Sequence, residues 1–220
     1  MIVNQDYYKN NIDFWETAWS RVKNLHKKPT ETDYLETLPK QLKDYGLETV
    51  LDLACGSGWL AVYLNSFGFK TVGTDISPAA IKLAHRWVEE ENLKDIEFYV
   101  QDMVEPDFPE NKFDAVVISS CLEHLDKDRA DIFFKNLKKI VKSEGYIFGC
   151  FDEVCVGTKG EYETLEDGMR IYKDDLRKGM ILRNYSDEEI KALLKENNWE
   201  LISMETSESG ARLVWAKNLK

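Results

Sequence analysis

The stretch VLDLACGSGW, residues 50–59, decides how the rest of the chain is read. Val50 to Leu53 is a short apolar run. The chain then turns through Ala54-Cys55-Gly56-Ser57-Gly58 and continues at helical spacing to about residue 67, with Gly68 just beyond. A strand that enters a helix through such a turn leaves free backbone N–H groups at the helix start. Glycine there lets a ligand approach the backbone closely, and the N–H groups favour negative charge. Asp52 interrupts the apolar run. Its carboxylate inside the turn repels a pyrophosphate and suits an ammonium group.

Outward from this turn, strand and helix alternate. Residues 70–75 (KTVGTD) form a second strand, and Ser77-Pro78 opens a helix that runs to about Glu91. Residues 96–100 (IEFYV) and 113–119 (FDAVVIS) are the third and fourth strands. Ala130, Phe133, Phe134, Leu137, Ile140 and Val141 then recur at the i, i+3, i+4, i+7 spacing of an amphipathic helix. Residues 145–151 (GYIFGCF) form a fifth strand. Residues 152–185 show no clean period, and 152–167 hold six acids and one lysine, which reads as a functional loop or lid. Ser186 with Glu189 is a capping box for a helix to Asn197. Strands at 199–205 and 211–217, joined by residues 207–210, form a closing hairpin. Upstream, Thr30 and Asp33 read as a helix start, and Pro39 breaks that helix. Alternation of this kind predicts an α/β fold: a Rossmann-like, seven-stranded, mostly parallel sheet with helices on both faces and a C-terminal antiparallel hairpin. Ligands bind such sheets beyond the carboxyl ends of the strands.

Composition narrows the function. The 220 residues carry 29 basic and 40 acidic side chains, a net charge of −11, with 43% hydrophobic and 12% aromatic residues. That is one domain with a sizeable core. The acidity argues against nucleic acid and anionic membrane partners, which need a basic face. No apolar run reaches the ~20 residues of a membrane helix, and the start MIVNQDYYKNN does not read as a signal peptide. A cytoplasmic protein, monomer or homodimer, is expected. Cys55, Cys121, Cys150 and Cys155 form no C-x-x-C pair and read as free thiols.

Three strand ends carry carboxylates. Asp52 is followed by Asp75, placed to accept hydrogen bonds from both hydroxyls of a ribose, and by Asp102, where an adenine edge would lie. Gly56-x-Gly58-x-x-Ala61 also fits a dinucleotide fingerprint, but Asp52, Asp102 and the closing hairpin speak against that reading. VLDLACGSGW (50–59), VGTDIS (72–77), QDM (101–103), FDAVVISSCLEHL (113–125) and KSEGYIFG (142–149) together resemble, in order and spacing, the motifs of class I S-adenosylmethionine-dependent methyltransferases, with a type 11 domain. The resemblance covers about residues 40–217. It implies that residues 31–220 bind S-adenosyl-L-methionine and release S-adenosyl-L-homocysteine, with 152–185 as an insertion. Carried over by position, Asp52, Ala54, Gly56, Gly58 and Ser119 face the methionine end. Asp75 and Ile76 belong to the ribose segment, and Asp102 and Met103 hold the adenine. Ala54 stands where many members have glycine.

His124 is a candidate general base; the alternative is a structural histidine before the next helix. Glu123-His124 also resembles part of the metal-associated motif of ubiquinone-pathway O-methyltransferases, but Ser120 stands where a further glutamate belongs, so no metal is expected. Residues 1–30 form an aromatic helical segment and a candidate lid, with Tyr8, Trp15 and Trp19 as acceptor walls. Cys121, Tyr162, Arg170 and Arg183 complete the substrate candidates. The expected reaction is methyl transfer to oxygen, nitrogen or sulfur of a small molecule. The alternatives are a protein or peptide acceptor, a metalloid or thiol acceptor presented by the cysteines, and a catalytically silent cofactor-binding subunit.

Overall fold

The computed structural model describes residues 5–25, 32–151 and 160–220. Its strands are β1 (Thr49–Leu53), β2 (Lys70–Asp75), β3 (Ile96–Val100), β4 (Phe113–Ser119), β5 (Val141–Phe151), β6 (Tyr162–Thr164), β7 (Arg170–Tyr172), β8 (Ile181–Leu182), β9 (Trp199–Thr206) and β10 (Arg212–Asn218). Its helices are α1 (Gln5–Ser20), α2 (Thr37–Asp44), α3 (Trp59–Ser66), α4 (Pro78–Glu91), α5 (Lys127–Ile140) and α6 (Asp187–Glu196), with a 3-10 turn at Leu122–His124.

Seven strands make the main sheet in the order β3-β2-β1-β4-β5-β10-β9. Strands β1 to β5 pair in parallel, and β10 runs antiparallel to both β5 and β9. This is the expected sheet with its closing hairpin. The period-2 alternation sorts side chains between two cores. Leu51, Leu53, Val116 and Ile118 pack with Phe133, Phe134 and Leu137 of α5 and Ile190 and Leu194 of α6. Val50, Ala115, Val117 and Phe148 pack on the opposite face with Leu38 and Leu42 of α2 and Leu60 and Leu64 of α3. Strand β4 is apolar along nearly its whole length because both its faces are covered. The strand order reverses between β1 and β4, which opens a crevice at their carboxyl ends.

Helix starts follow local chemistry. Ser77 caps α4 by accepting from the Ala80 N–H, with Pro78 at the first helical position. Ser186 and Glu189 cap each other's backbone at α6.

Three expectations are corrected. Pro39 does not break a helix: it lies in the first turn of α2, where its missing N–H has no intrahelical partner to lose. Strand β5 begins at Val141, directly after α5, rather than at 145, with an irregularity in its pairing to β4. The segment after β5 is not plain loop: β6, β7 and β8 form a small antiparallel sheet. Its strands span two or three residues, too short for any period to show. The Asp167-Gly168 pair at the β6–β7 turn, with Gly168 at φ +86°, was the available hairpin signal. Thr30 and Cys155 lie outside the described residues.

Candidate active site

The turn from β1 to α3 is shaped by three left-handed residues. Gly58 (φ +83°) precedes α3, and a Cβ there would lie 2.6 Å from the Phe98 ring, so this glycine serves helix-to-strand packing. Gly56 (φ +55°) faces the crevice, where a Cβ would lie 2.5 Å from the Trp19 indole. Ala54 adopts φ +57° despite its Cβ. A left-handed conformation costs a non-glycine residue ~1 kcal/mol, partly offset because alanine restricts the unfolded chain. Ala54→Gly is therefore expected to raise stability by roughly 0.5 kcal/mol with cofactor affinity unchanged, read by urea unfolding and calorimetry. A loss of stability would show that the methyl group is needed for packing.

Three carboxylates surround this turn. Asp75 ends β2; its Oδ2 accepts from the Gly56 N–H at 2.8 Å and its Oδ1 from the Ser77 N–H at 2.9 Å. It thereby joins the glycine turn to the start of α4, and burial raises its pKa despite these bonds. Asp52, 2% exposed, accepts from the Ala61 N–H at 3.0 Å. Burial pushes its carboxyl up to about 8, with the Ala61 bond opposing and the Asp75 charge adding to the rise. Oδ1 of Asp102 accepts from the Tyr8 hydroxyl at 2.7 Å and from the Val104 N–H at 2.8 Å. Burial, then the nearby Asp102 charge, raises the Tyr8 phenol pKa.

Helix α1 closes the crevice. Tyr8, Asn11, Ile12, Trp15 and Trp19 recur at helical spacing and form one wall of a cavity of about 190 Å3. Opposite them lie Ala54, Cys55, Gly56, Asp75, Ile76, Gln101, Met103, Cys121 and His124. A second cavity, also about 190 Å3, is lined by Thr32, Asp52, Leu60 and Ser119, and it shares Ala54, Cys55, Trp59 and Ser120 with the first. Glu16 fastens α1 to α4: its Oε2 accepts from the Ser77 hydroxyl and from the Ala79 N–H at 3.1 Å, at a helix N-terminus where negative charge is favoured. The His124 Nδ1–H donates to the Ile181 carbonyl of β8 at 2.8 Å, which fixes the orientation of the ring. The Trp15 indole stands edge-on to that ring, 5.1 Å between centroids.

These residues fit an adenosyl amino acid carrying a sulfonium. Asp75 has lone pairs left over beside Gly56, Gln101 and Met103 line the same cavity, and the second cavity holds the Asp52 carboxyl, so the groups present suit hydroxyls, a flat ring and a cation. The space is smaller than the roughly 300–1,000 Å3 of usual ligand pockets. The Trp19 indole lies against Gly56 on the side where that group would sit.

The structure thus brings Tyr8, Trp15, Trp19, Cys121 and His124 together with Ala54, Gly56, Asp75, Ile76 and Met103. Ser119 faces the Asp52 cavity, sharing a 2.7 Å hydrogen bond with the Tyr34 hydroxyl. Gly58 and Asp102 act behind this wall. Three expected substrate residues are not brought in. Arg183 is buried and committed, donating to Glu189 at 2.7 Å and to the Asp167 carbonyl at 2.9 Å. Arg170 stacks on the exposed Tyr162 ring, 5.0 Å to its centroid, on the small sheet. Asn11, Ile12, Glu16, Trp59 and Gln101 were missed. The α1 stripe running from Tyr8 to Trp19 would have yielded Asn11 and Ile12. Cys55 and Cys121 line the cavity, but burial pushes the Cys55 thiol well up, away from the thiolate that soft ligands require. Among the described residues no group of three or more His, Cys, Asp or Glu is placed to hold a metal ion.

Fold and site together resemble those of class I methyltransferase domains, the kind whose cofactor is S-adenosylmethionine. Residues 50–145 match the family described as "Methyltransferase domain". A Bacillus subtilis protein named "Putative methyltransferase YqeM" is 35% identical over 102 residues, 44% of this chain and 40% of its own length. The chain thus spans less than half the length of that relative. The PH0226 protein of Pyrococcus horikoshii shares the fold with a TM-score of 0.75 at 21% identity, over 91% of this chain and 98% of its own. A Burkholderia thailandensis 1,6-didemethyltoxoflavin-N1-methyltransferase, solved with 1,6-didemethyltoxoflavin and S-adenosylhomocysteine, aligns at TM-score 0.71 and 15% identity over 100% of this chain and 92% of its own. Among the described residues no helix is long and apolar enough to cross a membrane.

Proposed function

We propose that this chain methylates a small molecule, and that the acceptor lies between α1 and the carboxyl ends of β1 and β4. One observation carries the reading: the cavity that joins Gly56 and Asp75 to Trp15 and His124 is roofed by α1, which lines it with aromatic side chains suited to a small flat molecule. When bound, S-adenosylmethionine supplies an electrophilic methyl carbon, so the acceptor lone pair forms the new bond as the carbon–sulfur bond breaks and sulfur keeps its electron pair. The chain's part is mostly placement. Asp75 orients the glycine turn, Asp52 faces the amino acid end, and α1 excludes water. His124 Nε2 takes the acceptor's hydroxyl or amine proton, and the Ile181 carbonyl holds the ring in the tautomer that allows this.

His124→Ala is expected to lower turnover by roughly 10²- to 10⁴-fold with S-adenosylhomocysteine affinity unchanged. Full activity across about pH 6 to 9 in the variant would exclude the base role. The acceptor class is tested by methyl-labelled cofactor and a cell extract separated into small-molecule, protein and RNA fractions. Label in the small-molecule fraction is the expected result. Label in protein or RNA overturns it while keeping the fold.

A further inference from the structure

Asn11 is 4% exposed, yet it lines the cavity from the inner face of α1. Its Oδ1 accepts from the Ile181 N–H at 3.2 Å, and the Ile181 carbonyl accepts from His124 Nδ1 at 2.8 Å. One residue of β8 is therefore gripped on its N–H by α1 and on its carbonyl by the 3-10 turn. Because the Ile181 N–H can only donate, the amide orientation of Asn11 is fixed. Its Nδ2 group faces the cavity side with no partner among the described residues. The side chain lines the cavity, so these two N–H donors are available to a group held there.

We propose that Asn11 is the positioning and specificity-determining residue of this site, and that it selects an uncharged, flat acceptor carrying a hydroxyl next to a hydrogen-bond acceptor. This rests on the methyl-transfer reading above. Asn11 acts twice. Through Ile181 it holds His124 in its working tautomer, and through Nδ2 it donates to the group beside the reacting hydroxyl, whose proton passes to His124 Nε2. The walls set the remaining chemistry. Tyr8, Trp15 and Trp19 offer flat apolar faces, and among the described residues no lysine or arginine lines the cavity. A carboxylate or phosphate acceptor would be buried there without a counter-charge. A site built around a hydrogen bond also rejects the analogue that lacks it.

Two variants and four probes test this on the S-adenosylhomocysteine complex: Asn11→Leu and Asn11→Asp, with 2-hydroxybenzamide, phenol and 2-hydroxybenzoate for the parent protein and 2-(aminomethyl)phenol added for Asn11→Asp. Calorimetry of the parent protein should show 2-hydroxybenzamide binding at least ~10-fold more tightly than the other two. Asn11→Leu should erase that preference, and Asn11→Asp should transfer it to 2-(aminomethyl)phenol, whose ammonium suits a carboxylate. Nitrogen-resolved NMR of the free protein should show a slowly exchanging His124 Nδ1–H that is lost in Asn11→Leu and kept in Asn11→Asp. Equal probe binding in parent and Asn11→Leu, preference for 2-hydroxybenzoate, or no probe binding at millimolar concentration overturns the acceptor class. An unchanged His124 signal in Asn11→Leu overturns the positioning role. If S-adenosylhomocysteine itself does not bind, the methyl-transfer reading fails, and the NMR result still decides the Asn11–His124 linkage.

Discussion

Asp52→Asn is expected to make the protein more stable and to bind its cofactor far less well. The cause is burial: the carboxyl is pushed up to about 8, against an ordinary value near 3.9. The sign follows from proton counts. Between about pH 4 and pH 8 the native state holds a proton at Asp52 that the unfolded chain has released, so native stability falls as pH rises through that range. Asparagine has no such penalty, and its oxygen still accepts from the Ala61 N–H. The gain should be near zero at pH 4 and reach roughly 2–5 kcal/mol by pH 8, or ~5–15 °C in melting temperature. In the proposed binding mode the cofactor's ammonium favours ionised Asp52. Binding then releases a proton at neutral pH, and affinity climbs as pH approaches 8. Losing that charge-assisted contact should weaken S-adenosylhomocysteine binding by about 1.5–3 kcal/mol, roughly 10- to 150-fold. Melting curves across pH, with calorimetry in two buffers of different ionisation enthalpy, read both effects. A variant that is less stable at pH 8, or that binds as tightly as its parent, refutes the assignment.

Trp19→Ala is expected to speed cofactor entry. The indole rests on Gly56, and α1 is also tied down by Tyr8 to Asp102 and by Glu16 to Ser77 and Ala79. If the closed arrangement is favoured by about 1–2 kcal/mol, only about 3–15% of molecules are open at any moment, and apparent affinity is reduced by that fraction. Removing the indole should raise the association rate for S-adenosylhomocysteine by roughly 5- to 30-fold, measured by stopped-flow. The acceptor should bind more weakly, because one of its walls is gone. Slower association with weaker cofactor binding would identify Trp19 as part of the cofactor's seat.

The frame of this site was legible because its signals are local. Strand, turn and helix follow one another within residues 50–67, and each acidic strand end lies inside its own apolar run. The α1 stripe was legible in its aromatics for the same reason. The remainder depends on distant pairing. Arg183 looks like a surface cation until Glu189 and the Asp167 carbonyl close around it. Strands of two or three residues leave no period to read, so β6 to β8 stayed hidden. Asn11 shares the spacing of that stripe, but its bond to Ile181 leaves no local mark, since the two lie 170 positions apart.

That separation has a consequence for biosynthesis. Chains grow at about 5–20 residues per second, so a helix completed at Ser20 waits roughly 10–30 s before Ile181 is translated. Throughout that interval the Trp15 and Trp19 face has no finished cleft to enter. Strands β1 to β4 and the glycine turn, complete by Ser119, are made well before it. On the ribosome the nascent chain therefore passes through a stage in which the cofactor seat exists and its roof does not, and an aromatic helix is offered to whatever chaperone meets it first.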